Sequence, residues 1–173
     1  MSRALNFLWI NLDFPMAETK EPEKFREPLP PKYLENILKA GTANPETSVR
    51  LWVDSTLLTE KQLSYLSDSI KHSTAANVSL QDLRSIPDFQ KESLFNQAHR
   101  ESNWRDTEKN AVIWRQVDAA KILISLQGNF DQVFYADLDY ANIPVDSKPI
   151  QNLLKNHGVL FSSLLKNSSI SSR

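Results

Sequence analysis

Cysteine is absent from the 173-residue chain, which excludes disulfides, Cys-based zinc sites and thiol nucleophiles together and fits a reducing compartment. Glycine is almost as scarce: Gly41, Gly128 and Gly158 are the full set. Each follows a segment of helical periodicity, where a helix C-cap is expected. No glycines remain to bring backbone close to a phosphate, so the Walker loop and the dinucleotide fingerprint are both excluded. A Gly-x-Ser-x-Gly nucleophile elbow is missing as well. Any phosphate would have to be held by a metal or by side chains. His72, His99 and His157 stand apart, without metal-ligand spacing, and read as surface residues. Neither sign of charge dominates: the formal net charge is −1 and no dense run of Lys or Arg occurs, which argues against nucleic acid or an anionic membrane as the main partner. No apolar run approaches the roughly 20 residues of a membrane helix. Met1–Ile10 turns polar at Asn11, so it reads as a buried strand rather than a signal peptide.

Hydrophobic residues make up 40% of the chain and charged residues 24%, a globular balance in a length suited to one domain. Ala4–Ile10 (ALNFLWI) is a nearly continuous apolar run, as in a strand buried on both faces. The segment 15–31 is rich in proline and charge and is expected to be an extended loop. Tyr33, Leu34, Ile37 and Leu38 recur at helical spacing, with Gly41 placed to end that helix. Ser48–Asp54 predicts a second strand. Thr59 is positioned to cap a helix carrying Leu63, Leu66 and Ile70 on one face, with Glu60 in its first turn. Asn77–Leu80 predicts a third strand, and a helix is expected from Asp88 to about Arg100. The longest periodic stretch runs from about Thr107 to Gln127, with Ile113, Val117, Ala120 and Ile124 on one stripe. Phe130–Ala136 predicts a strand ending in Asp137-Leu138-Asp139. A short helix near Pro149–Asn156 and a strand at Val159–Phe161 complete the pattern. Strands alternating with helices predict a three-layer α/β domain with a mostly parallel sheet, spanning 1–166, with a frayed tail at 167–173.

Asp137 and Asp139 carry the strongest chemical signal. In an extended segment residues i and i+2 share a side, and the ligands of open α/β sheets bind at the carboxyl ends of strands. Two adjacent carboxylates there repel unless a cation lies between them. A hard ion such as Mg²⁺ or Mn²⁺ takes one or two carboxylates plus substrate phosphates and would stabilise charge on a diphosphate leaving group. Taken alone, Asp-x-Asp is a weak signal that more often marks a solvated strand-to-loop turn. On the preceding helix Trp114, Asp118, Lys121 and Ser125 share a polar face beside the apolar stripe. Asp118 and Lys121 form an i, i+3 pair of opposite charge, which an exposed salt bridge would also explain. Trp9, near the end of the first strand, offers an indole for a nucleobase, and Asn11 offers amide hydrogen bonds. Trp9 fits a core aromatic as well.

Together these pieces resemble the DxD-containing glycosyltransferases of the large clostridial toxin type and related bacterial effector and sugar transferases, which have the glycosyltransferase-A fold. FLWIN is similar to the family's opening Ile-Trp strand, QVDAAKI to its Asp-x-x-Arg helix, and FYADLD to its Tyr-x-Asp-x-Asp. The order covers roughly Leu5 to Phe161. The resemblance implies that Trp9 stacks on the donor's base and that Asp118 and Lys121 bind the donor sugar. It also implies that Tyr135 contacts the donor and that Asp137 and Asp139 hold the metal and diphosphate. Lys121 stands where the family has arginine, losing a planar fork that grips two oxygens. The glycine pair after the family's tryptophan is missing. Family catalytic domains continue beyond this last strand, so a fragment, a transferase completed by a partner, or a degenerate remnant is expected.

The resulting expectation is a Mn²⁺- or Mg²⁺-dependent transferase moving a sugar from a nucleoside diphosphate sugar, of the uridine type by resemblance, to a protein or glycan acceptor left open. Retention of anomeric configuration follows from the resemblance alone. The alternatives are a catalytically inactive module that keeps the fold, and a metal-dependent phosphohydrolase with Asp137 as nucleophile. The expected location is cytoplasmic, or outside the cell by a route that needs no signal peptide.

Overall fold

The computed structural model describes residues 1–11, 25–91, 117–140 and 144–157. Four strands, β1 (Arg3–Trp9), β2 (Ser48–Val53), β3 (Val78–Asp82) and β4 (Gln132–Tyr135), form one sheet in the order β3-β2-β1-β4. Every pairing is parallel. The helices are α1 (Pro31–Ala43), α2 (Glu60–Lys71), α3 (Pro87–Lys91), α4 (117–125) and α5 (Lys148–His157), with short 3-10 turns at Ser55–Leu57 and Leu83–Ser85. The expected α/β class with a parallel sheet between helices is the observed one. The remainder of the 15–31 loop before Phe25, the helix parts at 92–100 and 107–116 with Ile113 and Trp114, the Val159–Phe161 strand, Gly158 and the 167–173 tail lie outside the described residues.

Alternation along β1 sorts its side chains between two cores. Leu5 and Phe7 join Val49, Leu51, Val53 and Val78 under Leu34, Ile37 and Ala40 of α1 and Leu66 and Ile70 of α2. Leu8 and Ile10 face the other way, with Trp52, Leu83, Ile86 and Phe89, under Ala120 and Ile124 of α4. A sheet buried on both faces explains why β1 and β2 read as continuous apolar runs rather than alternating ones. Burying a side chain such as Phe7 completely contributes about 1.5–3 kcal/mol.

The interruption in that run is Asn6, which is 1% exposed. Its Oδ1 accepts from Arg50 Nε at 2.8 Å and from Trp52 Nε1 at 3.0 Å, and its Nδ2 donates to Phe134 O at 3.0 Å. Arg50 also donates through Nη1 to Gln127 O at 3.1 Å and lies between the Trp52 and Phe130 rings. Burial lowers the pKa of its guanidinium from the ordinary value. The network ties three adjacent strands together and fixes β4 against β1.

Local signals explain the helix ends. Pro31 occupies the first turn of α1, where its fixed φ suits a helix start and no amide is missed. Thr59 caps α2 as expected, and Gln62 completes a reciprocal capping box. Gly41 corrects the expectation. It lies inside α1, and a Cβ there would run into Val78 Cγ2, so the glycine serves close helix-to-sheet approach. The end of α1 is closed instead by Asn77, whose Nδ2 reaches the carbonyls of Gly41, Asn44 and Thr47 at 3.1, 2.8 and 2.7 Å. Gly128 does take the left-handed backbone beyond α4, at φ 86°. No helix among the described residues is long and apolar enough to cross a membrane.

Candidate functional site

The strand order places a topological switch between β1 and β4. From β1 the chain crosses through α1 to β2 on one side, whereas α4 leads into β4 on the other side of β1. The two helices cover opposite faces of the sheet. In open α/β sheets such a divergence opens a crevice at the carboxyl ends of the two strands, here β1 and β4, and ligands bind there. Trp9 ends β1 and Tyr135 ends β4. Ala136 N still donates to Asn6 O at 3.0 Å, so the ladder holds up to the residue before Asp137.

Asp137 to Tyr140 then form a turn, closed by Tyr140 N donating to Asp137 O at 3.1 Å. This corrects the extended-strand argument for the two aspartates, because a turn does not keep i and i+2 on one side. The turn is tied down from beneath. Asn36 of α1 is buried and donates through Nδ2 to Leu138 O at 2.9 Å, while the Leu138 side chain packs on the α1 core.

The two carboxylates consequently meet different elements. Asp137 is 70% exposed, and its Oδ1 lies 3.9 Å from Lys121 Nζ on α4. That ammonium also lies 4.8 Å over the Tyr135 ring. Lys121 therefore turns toward Asp137 and the aromatic face rather than pairing with Asp118 one turn back along the helix. Asp118 remains close enough to act on the same ring. The pKa of the Tyr135 hydroxyl is raised, first by burial and then by the negative charges of Asp137 and Asp118. Asp139 engages Tyr33 of α1, whose hydroxyl pKa is raised by the Asp139 charge and by a hydrogen bond to that carboxylate. Tyr33 in turn meets Trp9, with ring centroids 6.1 Å apart and planes tilted by 57°.

Two linked groups result: Asp137, Lys121, Tyr135 and Asp118 beside α4, and Asp139, Tyr33 and Trp9 beside α1. The Asp137–Tyr140 turn joins them across the sheet edge. Trp9 is partly exposed, and its Nε1 donates to Pro28 O at 2.6 Å, which fixes the plane of the indole. Asn11 is 8% exposed and its Nδ2 donates to Leu57 O at 3.0 Å, so that amide group braces the loop after β2. Ser125 bonds back to Lys121 O at 2.8 Å.

Three contributors escape a reading by motif. Asn6, Asn36 and Tyr33 act through partners far along the chain. Asn6 alone left a visible signal, as a polar residue inside an apolar strand. Among the described residues no group of three or more His, Cys, Asp or Glu side chains could hold a metal. A divalent ion at the turn would have to draw Asp137 from Lys121 and Asp139 from Tyr33, and its carboxylate, water and ligand oxygens would be the hard donors that Mg²⁺ or Mn²⁺ takes.

No protein-family model matches the chain, and no curated relative matches it. Among solved structures it is similar to one titled "PaToxG Glycosyltransferase", with 14% sequence identity and a TM-score of 0.44 over 79% of this chain and 41% of that chain. The match thus spans less than half of that protein. At this identity and score the likeness carries no argument about activity.

Proposed function

We propose that the chain binds a nucleoside diphosphate sugar at the β1–β4 crevice and belongs to a metal-dependent glycosyl transfer reaction. One observation carries the reading. An Asp-x-Asp turn is held at the switch point with its carboxylates open to solvent, flanked by aromatic rings from β1, β4 and α1. Asp137 and Asp139 would hold Mn²⁺ or Mg²⁺ with the diphosphate. When bound, the ion would offset charge gathering on the departing nucleoside diphosphate.

The chain's own residues have separable tasks. Trp9, with its plane set by Pro28 and Tyr33, offers a flat apolar surface to the base. Tyr135 keeps its proton because burial disfavours the phenolate, so it would present a hydrogen-bond donor to the donor molecule. Asp118 and Lys121 supply an acceptor and a donor for sugar hydroxyls. The acceptor would be a hydroxyl or amide.

A second reading, a binding module without turnover, is favoured by the position of Lys121. Its ammonium already offsets the charge of Asp137 and is a point charge rather than a bidentate fork.

A screen of uridine diphosphate sugars with and without Mn²⁺, reading release of free sugar, tests the proposal. Turnover should require the metal and fall by about 100-fold or more in Asp139→Ala, the loss expected when a group stabilising a developing charge is removed. Metal-dependent release that survives Asp139→Ala would overturn it. Donor binding without release or transfer would select the second reading.

A further inference from the structure

The crevice carries a cation of its own. Lys121 Nζ is placed 3.9 Å from Asp137 Oδ1 and 4.8 Å over the Tyr135 ring centroid. Two features make this placement more than a chance surface pair. Lys121 stands on α4, whose Ala120 and Ile124 are fully buried, so its backbone is anchored in the core. Its side chain is 33% exposed against 70% for Asp137, and the half-buried ring of Tyr135 gives the ammonium a second attractive surface.

An ammonium beside a carboxylate opposes a divalent cation in two ways. It offsets the anionic charge that would attract the ion, and it repels the ion directly. We propose that Lys121 is a resident counter-ion that competes with a divalent metal for Asp137, so that metal affinity at the turn is set by a residue that binds no metal. This rests on the reading of Asp137 and Asp139 as the metal-binding pair. It goes beyond that reading by making Lys121 an antagonist of the metal as well as a contact for the sugar.

The test is titration of the full chain with MnCl₂ alone, following free Mn²⁺ by electron paramagnetic resonance, so that no turnover is needed. Lys121→Met keeps an apolar stem against Tyr135 and removes the charge. It should tighten Mn²⁺ binding by roughly three- to tenfold, the range expected for a partly exposed charge a few ångströms away. Lys121→Gln should tighten it in the same direction, and Lys121→Arg should stay within about twofold of the parent, since the charge is kept. Adding Asp137→Asn to Lys121→Met should cancel the gain. If Asp137→Asn weakens Mn²⁺ binding but Lys121→Met leaves it unchanged or weaker, the metal pair stands and the competition is wrong. If Mn²⁺ binding ignores Asp137→Asn in both backgrounds, the metal pair and the competition fall together.

Discussion

Carboxylates stand at both ends of this sheet, and at either end some are saturated with donors while Asp137 is left open. At the amino end Asp146 is 17% exposed and accepts from Arg3 Nη1 at 2.7 Å, Thr47 Oγ1 at 2.6 Å and Glu46 N at 3.2 Å. At the carboxyl end of β2 the Asp54 side chain is wholly buried. It accepts from Thr56 N and Oγ1 at 3.0 and 2.7 Å and from Arg84 Nε and Nη2 at 2.8 and 2.6 Å. Asp137, at the carboxyl end of β4, is 70% exposed with one cation at 3.9 Å. A buried carboxylate is tolerated only when donors meet its lone pairs. Asp54 and Asp146 are therefore spent on holding the fold. Asp137 keeps oxygen lone pairs open to solvent beside the point where the strand order reverses.

The sharpest way to break this contrast is Asp54→Ala. Removing the carboxylate from its bidentate pair with Arg84 should destabilise the fold by about 3–5 kcal/mol, read as a lower urea midpoint. A change below about 1 kcal/mol would mean that the saturated carboxylates do not hold the fold. Asn6→Ala comes next. It strips hydrogen bonds from Arg50, Trp52 and Phe134, so a loss of about 2–3 kcal/mol is expected. Hydrogen exchange should show β4 amides opening before those of β2.

A smaller effect concerns Tyr135. Its hydroxyl pKa in the folded chain lies above the ordinary value of 10.0, so the unfolded chain loses that proton first as pH rises. Folding stability from this residue is complete below pH of about 10 and declines above it, by at most about 1.4 kcal/mol per pH unit until the folded hydroxyl also titrates. Comparing alkaline unfolding of the parent with that of Tyr135→Phe isolates the decline, and identical curves would count against burial of the hydroxyl. Smallest of all is Asp137→Asn. Its effect on stability should stay within about 0.5 kcal/mol, since the carboxylate contributes little to the fold, while Mn²⁺ binding weakens. A marked drop in stability would make Asp137 a structural group like Asp54.

β1 and β2 are legible because burial on both faces leaves long apolar runs, and the α2 cap is legible because Thr59 and Gln62 act locally. Gly41 differs from the expected helix cap for a physical reason: a glycine near a helix end and a glycine at a tight helix-to-sheet contact look alike until Val78 is placed against it. The geometry at Asp137 and Asp139 is not legible in the sequence, because the turn that redirects them is held by Asn36, 102 residues away. Tyr33 had no signal beyond its place on the apolar stripe of α1. Its importance arises only where α1 passes beside Asp139 and Trp9.

Calorimetric titration with uridine diphosphate, with and without Mn²⁺, on the parent and on the Asp137→Asn/Asp139→Asn double variant addresses the central claim most directly. The account predicts binding that requires Mn²⁺ in the parent and vanishes in a double variant of unchanged stability. Equal affinity with and without Mn²⁺, or binding that persists in the double variant, would contradict it.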